Sequence, residues 1–372
     1  MKNYLLIIVL VSISFKSFGQ NYPKEDTELI KQIGQMLIVG FRGTELKSDM
    51  TVYKLITNYN IGGVILFDYD VPSKGKKLRN IENPKQLQKL CEDLQKVSNY
   101  HLFISIDQEG GKVNRLKEKN GFPASVTAQY LGDNNKPQIT SSYAARTADL
   151  LKTLAINLNF APCVDLNINS NCPIIGSMER SFSSNPQIVT SNAKIWIEEF
   201  KKKGIISVIK HFPGHGSSNN DTHKGATDVS NNYDTNELIP YQILIKEGDV
   251  DMIMTSHIFN SYFDKDYPAT LSYLTLTNVL RVKLGFNGVI VSDDMAMGAI
   301  AKEYNFDFAL QKAIEAGVNM FIFSNNGDKY DENIAEKAIT TIYQLVKNHK
   351  LDRKYITESA AKIEILKAKY GL

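Results

Sequence analysis

The sequence predicts an α/β chain folded as a (β/α)8 TIM barrel in a single catalytic domain, and three observations carry that reading. Eight short apolar runs recur at 35–41, 62–67, 102–107, 158–165, 205–212, 251–257, 288–293 and 320–324. The gaps are long enough for a helix each, and amphipathic stretches at 84–98, 141–154, 185–203 and 306–316 fill several of them. Strands that are apolar throughout and alternate with helices indicate a parallel sheet covered on both faces. Eight such units in 372 residues fit a closed barrel.

Taken in order, the runs end in chemistry. The first two are apolar to their last residue. The third ends at Asp107, the fourth at Asp165, and the sixth at His257. The fifth holds His211 near its end and is stopped by Pro213, which has no backbone N–H to continue a ladder. The seventh ends at Asp293, with Asp294 next. In barrel enzymes the C-terminal strand ends form the active-site face. For Asp165 and His257 alone, a structural hydrogen bond is the better reading. Residues 331–372 read as helices packed on the barrel, and no linker or repeat divides the chain.

The stretch Lys210-His211-Phe212-Pro213-Gly214-His215-Gly216, followed by Asp221-Thr222-His223, places three of the six His within fourteen positions. Four readings compete. One is a polar loop with satisfied histidines. A second is zinc, because His211 and His215 are spaced i, i+4. Pro213 and Gly214 lie between them, however, and spoil a shared helix face. A third is a Ser-His nucleophile using Ser217 or Ser218, but no G-x-S-x-G elbow is present. The fourth is proton transfer by His223 paired with Asp221, since a neighbouring carboxylate orients an imidazole and raises its pKa. Residues 214–228, rich in Gly, Ser and Asn, read as a mobile loop carrying His223.

Bulk properties exclude several classes. Hydrophobic content is 43% and the net charge +3, with no basic stripe, so nucleic acid is not an expected partner. Lys2, an apolar run at 4–15, and Ser17 and Gly19 form a cleaved signal pattern. The run is too short to span a bilayer. A signal peptide at 1–19 and a mature chain at 20–372 are expected, with export to the periplasm or beyond and no stable membrane insertion after cleavage. The mature chain is nearly neutral, at 41 basic against 40 acidic residues. Cys91, Cys163 and Cys172 do not describe a disulfide framework, and a Cys163–Cys172 bridge stays open.

The cluster resembles glycoside hydrolase family 3, and within it the single-domain β-N-acetylglucosaminidases, whose signature runs K-H-F-P-G-H-G and then D-x-H. Asp107-Gln108-Glu109-Gly110-Gly111-Lys112-Val113-Asn114-Arg115 is similar to the family's D-Q-E-G-G-R-V-x-R. Gly288-Val289-Ile290-Val291-Ser292-Asp293-Asp294-Met295 is similar to its nucleophile segment. Two departures stand out. Lys112 replaces an Arg, and Gly176-Ser177-Met178-Glu179-Arg180-Ser181-Phe182 holds two extra residues before its Arg. The resemblance implies Asp293 as nucleophile, His223 as general acid/base and Asp221 as its partner. It implies that Asp107, Arg115, Arg180, Lys210 and His211 hold the sugar.

The implied reaction is retaining, exo-acting hydrolysis of terminal N-acetylglucosamine from peptidoglycan fragments or chitin-type oligosaccharides through a glycosyl-enzyme. A β-linked N-acetylglucosamine oligosaccharide is the expected partner, with no cofactor and no metal, and the chain is expected to be a monomer. Phosphorolysis, a metal-dependent barrel hydrolase using His211, His215 and His223, and a non-catalytic sugar-binding protein are the alternatives.

Overall fold

The computed structural model describes residues 22–372. The expected signal segment at 1–19 lies outside the described residues. Eight parallel strands close into a barrel: β1 (Leu37–Gly40), β2 (Gly63–Leu66), β3 (Phe103–Ile106), β4 (Leu158–Asn159), β5 (Ile206–Phe212), β6 (Met252–Thr255), β7 (Val289–Asp294) and β8 (Met320–Phe323). Closure is direct, since Leu37 pairs with Phe321 and Ile38 with Gly63. The strand interiors are buried, as expected when helices cover the outer face. A two-stranded parallel ribbon, Thr227–Asp228 with Ile258–Phe259, sits beyond the ends of β5 and β6.

The outer helices are α1 (Thr27–Gln35), α2 (Thr51–Tyr59), α3 (Pro84–Val97), α4 (Ala128–Asn134), α5 (Pro137–Thr153), α6 (Pro186–Lys202) and α7 (Ile239–Lys246). They continue as α8 (Gly298–Ala301), α9 (Phe306–Ala316), α10 (Ile334–Lys347) and α11 (Arg353–Lys369). Local chemistry sets several starts. Asn83 and Asn185 cap α3 and α6 by accepting the Gln86 and Gln187 N–H groups, and a Pro opens each helix. Both helices of the C-terminal tail pack on α1.

Two strand expectations change. Gln35 belongs to the end of α1, so the first strand starts later than 35. The expected strand at 158–165 keeps ladder pairing only through Asn159, and Cys163 meets β5 at an isolated bridge to Lys210. Pro162 explains the break, because it cannot donate to the neighbouring strand. Residues 274–283, which carried no sequence expectation, form a π-helix, Leu274–Lys283.

Candidate active site

The floor of the barrel mouth is a network of buried charges. Lys210 Nζ lies 2.7 Å from Asp107 Oδ1 and 2.7 Å from Glu109 Oε1. Arg180 grips Glu109 with two bonds, Nε to Oε2 at 2.9 Å and NH2 to Oε1 at 2.7 Å. The same guanidinium reaches His211 Nε2 at 3.3 Å, and Arg115 stands 3.6 Å from Asp107. The structure therefore brings Asp107, Arg115, Arg180, Lys210 and His211 together from three strand ends and their loops. Burial alone would raise the Glu109 carboxyl, but Arg180 and Lys210 more than offset it and hold the group down at about 2. Burial would likewise lower the Lys210 amine, and Asp107 and Glu109 keep it raised.

Sequence reasoning had no binding role for Glu109. Its signal was its place in the Asp107–Arg115 motif. Held near 2, the Glu109 carboxyl stays ionised at neutral pH. The two departures in the sequence also meet each other. Lys112 Nζ lies 3.1 Å from Glu179 and donates to the Ser177 carbonyl at 2.9 Å, so the substituted residue ties down the extended segment that leads to Arg180.

Asp165 is fully buried and works as a bracket. It accepts His211 Nδ1 at 2.6 Å, the His211 backbone N–H at 3.1 Å and the His215 N–H at 2.8 Å. It fixes the ring orientation of His211 and holds the strand's exit. His215 bonds Ser218 and Thr222, and burial beside His211 lowers its imidazole to about 4, which keeps it neutral. His211 and His215 thus turn to different partners. Cys163, Asp165 and His211 form a cluster of metal-type donors, but Cys163 Sγ bonds Asp165 at 3.2 Å and the remaining contacts are hydrogen bonds. Arg180 stands beside this cluster, an unfavourable neighbour for a further cation. Cys163 and Cys172 are free thiols, so the bridge left open by the sequence is not formed. Cys172 instead faces Ser218 at 3.2 Å.

Asp293 is the penultimate residue of β7, at the mouth of the barrel. Burial would raise its carboxyl, and the His257, His211 and His223 rings facing it hold it below the usual carboxylate range. It is therefore an ionised carboxylate at neutral pH. Asp294 turns away, as strand alternation requires. It accepts the Ser324 N–H at 3.1 Å, the Ser324 hydroxyl and the Ala296 N–H at 3.1 Å. His257 donates from Nε2 to the Asp294 carbonyl at 3.0 Å. Asp294 and His257 thus lock the peptide that follows Asp293.

Asp221 and His223 form a dyad on the loop after β5. Asp221 Oδ1 accepts both the His223 backbone N–H at 2.9 Å and ring Nδ1 at 2.8 Å. The pair uses Nδ1 and not Nε2, and the His223 side chain is exposed. Burial would raise the Asp221 carboxyl, but the bonds to His223 keep it low.

The loop is less free than its composition suggests. Residues 214–218 are buried, and exposure begins at Asn219. The reason is Glu237, a buried carboxyl group that accepts the Gly216 N–H at 2.7 Å, the Ser217 N–H at 3.1 Å and the Ser217 hydroxyl. Burial pushes its carboxyl up to about 8, against the bonds that favour charge. A Cβ at Gly214 would fall 2.5 Å from Glu237 Cβ, and Gly214 has φ +126. That glycine is thus required by packing and by backbone conformation.

An ionised carboxylate on one strand end, a His-Asp pair on the loop after β5 and a charged, hydrogen-bonding floor are thus gathered at the mouth of the barrel, the face where barrel enzymes carry their sites. The comparisons agree. Residues 28–366 match the family model described as the glycosyl hydrolase family 3 N-terminal domain, and the chain belongs to that family. It is 32% identical to beta-hexosaminidase A of Pseudoalteromonas piscicida over 91% of this chain and 61% of that protein. It is 34% identical to a beta-hexosaminidase of Tolumonas auensis, over 78% of this chain and 83% of the relative. The solved glycoside hydrolase family 3 β-N-acetylglucosaminidase from Paenibacillus sp. str. FPU-7 superposes with a TM-score of 0.83 at 31% identity, covering 92% of this chain and 62% of that one. The chain therefore spans less than two thirds of some of the relatives it matches.

Proposed function

We propose that this protein is a retaining exo-β-N-acetylglucosaminidase acting on peptidoglycan fragments or chitin-type oligosaccharides. The observation that carries the reading is the pairing of an ionised Asp293 with the Asp221–His223 dyad over a floor of buried charge. The names of the similar proteins support the N-acetylhexosamine substrate.

In this reading Asp293 attacks the anomeric carbon as the bond to the leaving oxygen breaks. His223 Nε2, as imidazolium, protonates that oxygen. A glycosyl-enzyme ester results. Neutral His223 then takes a proton from water, which attacks the anomeric carbon and releases Asp293 as carboxylate. Asp221 holds the Nδ1 proton throughout and stabilises the imidazolium. Asp107, Lys210, Arg180, Arg115 and His211 offer donors and acceptors to the sugar hydroxyls. We also propose that the chain is exported. Among the described residues, no helix is long and apolar enough to cross a membrane.

The test is turnover of an aryl β-N-acetylglucosaminide against the matching aryl β-glucoside, with and without a chelator and with added phosphate. Preference for the acetamido sugar, unaffected by chelator or phosphate, supports the reading. Turnover of neither sugar, or dependence on metal, would overturn it.

A further inference from the structure

We infer that Gly298 is a positioning residue, the seat on which the acid/base loop rests; the inference builds on the proposed role of His223. The His223 side chain is 64% exposed and bonds Asp221 of its own loop, so its position must be set by contacts of the loop backbone. The structure shows where. The Gly298 N–H donates to the His223 carbonyl at 3.2 Å, and the Ala299 N–H donates to the Thr222 carbonyl at 3.1 Å. Lys302 Nζ donates to the Lys224 carbonyl at 3.0 Å. Three successive loop carbonyls therefore land on one turn.

That turn is tied to the nucleophile. It begins five residues after Asp293 on the same segment. The Met295 N–H bonds the Ile322 carbonyl at 2.9 Å, and the Met297 N–H bonds the Asp294 carbonyl at 3.0 Å. Whatever fixes Asp293 thus also fixes the seat of His223. Only glycine leaves room for this contact. A Cβ at Gly298 would stand 2.8 Å from the His223 oxygen, 2.8 Å from the Lys224 carbonyl carbon and 2.9 Å from its oxygen. All three are backbone atoms, so no side-chain rotation relieves the clash. The backbone of Gly298 is not in the left-handed region, so Ala suits the residue itself. Gly298→Ala should therefore lift the loop without straining α8.

The experiment uses wild type, Gly298→Ala, His223→Ala and the double variant. Substrates are an N-acetylglucosamine disaccharide and a dinitrophenyl N-acetylglucosaminide. Wild type that turns over neither would sink the functional reading itself, separately from this inference. With wild type active, Gly298→Ala should keep a single cooperative melt, which shows that the fold is intact. Its kcat on the disaccharide should drop about 100-fold, the scale of an ångström-sized misplacement. Glycosyl-enzyme formation from the activated substrate should stay within about threefold, because that leaving group needs little acid. Azide should restore part of the aryl turnover. In the His223→Ala background the same change should cost nothing further. A wild-type kcat on the disaccharide, or an equal loss in both backgrounds, would overturn the inference. If Gly298→Ala does not fold, Lys302→Met decides the matter: a loss confined to the disaccharide and absent without His223 supports the seat, and any other pattern refutes it.

Discussion

On the floor of the barrel mouth, Glu109 and Lys210 keep 5% and 2% of their side chains exposed, whereas His223 on the loop above keeps 64%. Asp107, Glu109 and Lys210 each meet two charged partners, and the geometry is set before a ligand arrives. The dyad has one internal ion pair and rests on backbone contacts. The two regions have different tasks. A group that must bind one fixed arrangement of hydroxyls gains from preorganisation, because nothing need reorganise on binding. A group that must give a proton and later take one from water gains from access to solvent and from a loop that can shift.

Four measurements would break or sharpen that contrast. The largest effect is expected at Asp293. Asp293→Ala should abolish turnover by at least roughly 10⁴-fold with the fold intact, as for loss of other covalent nucleophiles. A slow fluorosugar should label Asp293, and peptide mapping that finds the label on Asp294 would show the neighbours misassigned.

His223→Ala should cost on the order of 10²–10⁴-fold on a natural disaccharide and far less in glycosyl-enzyme formation from an activated aryl substrate. Asp221→Asn should follow the same pattern more mildly, because the imidazole stays but loses the carboxylate that orients it. Equal losses on both substrates, with no azide rescue, would make His223 structural.

The floor should fail through stability. Glu109→Ala strands Arg180 and Lys210, and removing one partner from such a buried network costs about 3–5 kcal/mol. A melting temperature unchanged by Glu109→Ala would contradict the network. Glu109→Gln tests its pH dependence. The carboxyl is held near 2 in the fold, below the ordinary value of 4.5. Its stabilisation is therefore fully present above about 4.5 and is lost as pH falls toward 2. Between those values the wild-type melting temperature should fall more steeply than that of Glu109→Gln, and parallel curves would disprove the assignment.

The smallest effect is expected from chelation. The donors that might hold a metal are bonded to one another around Asp165, so turnover should persist after exhaustive chelation. Loss of rate, recovered with zinc, would require a different site.

The sequence by itself determined the order of strands and helices, because burial on both faces demands apolar runs and their periods are local. It also located Asp107, His211 and Asp293 at strand ends and paired Asp221 with His223, since a two-residue spacing suffices for that contact. It placed the start of the first strand and the break at Pro162 less well, because where ladder pairing begins and ends depends on the neighbouring strands. Contacts between distant segments had no such local trace. Glu237 reaches Gly216 across 21 positions, and Gly298 receives a loop that leaves a different strand. Neither residue carries a local signal. A carboxyl group that clamps a loop and a glycine that admits a carbonyl are defined by what stands opposite them, and closing the barrel is what brings those partners together.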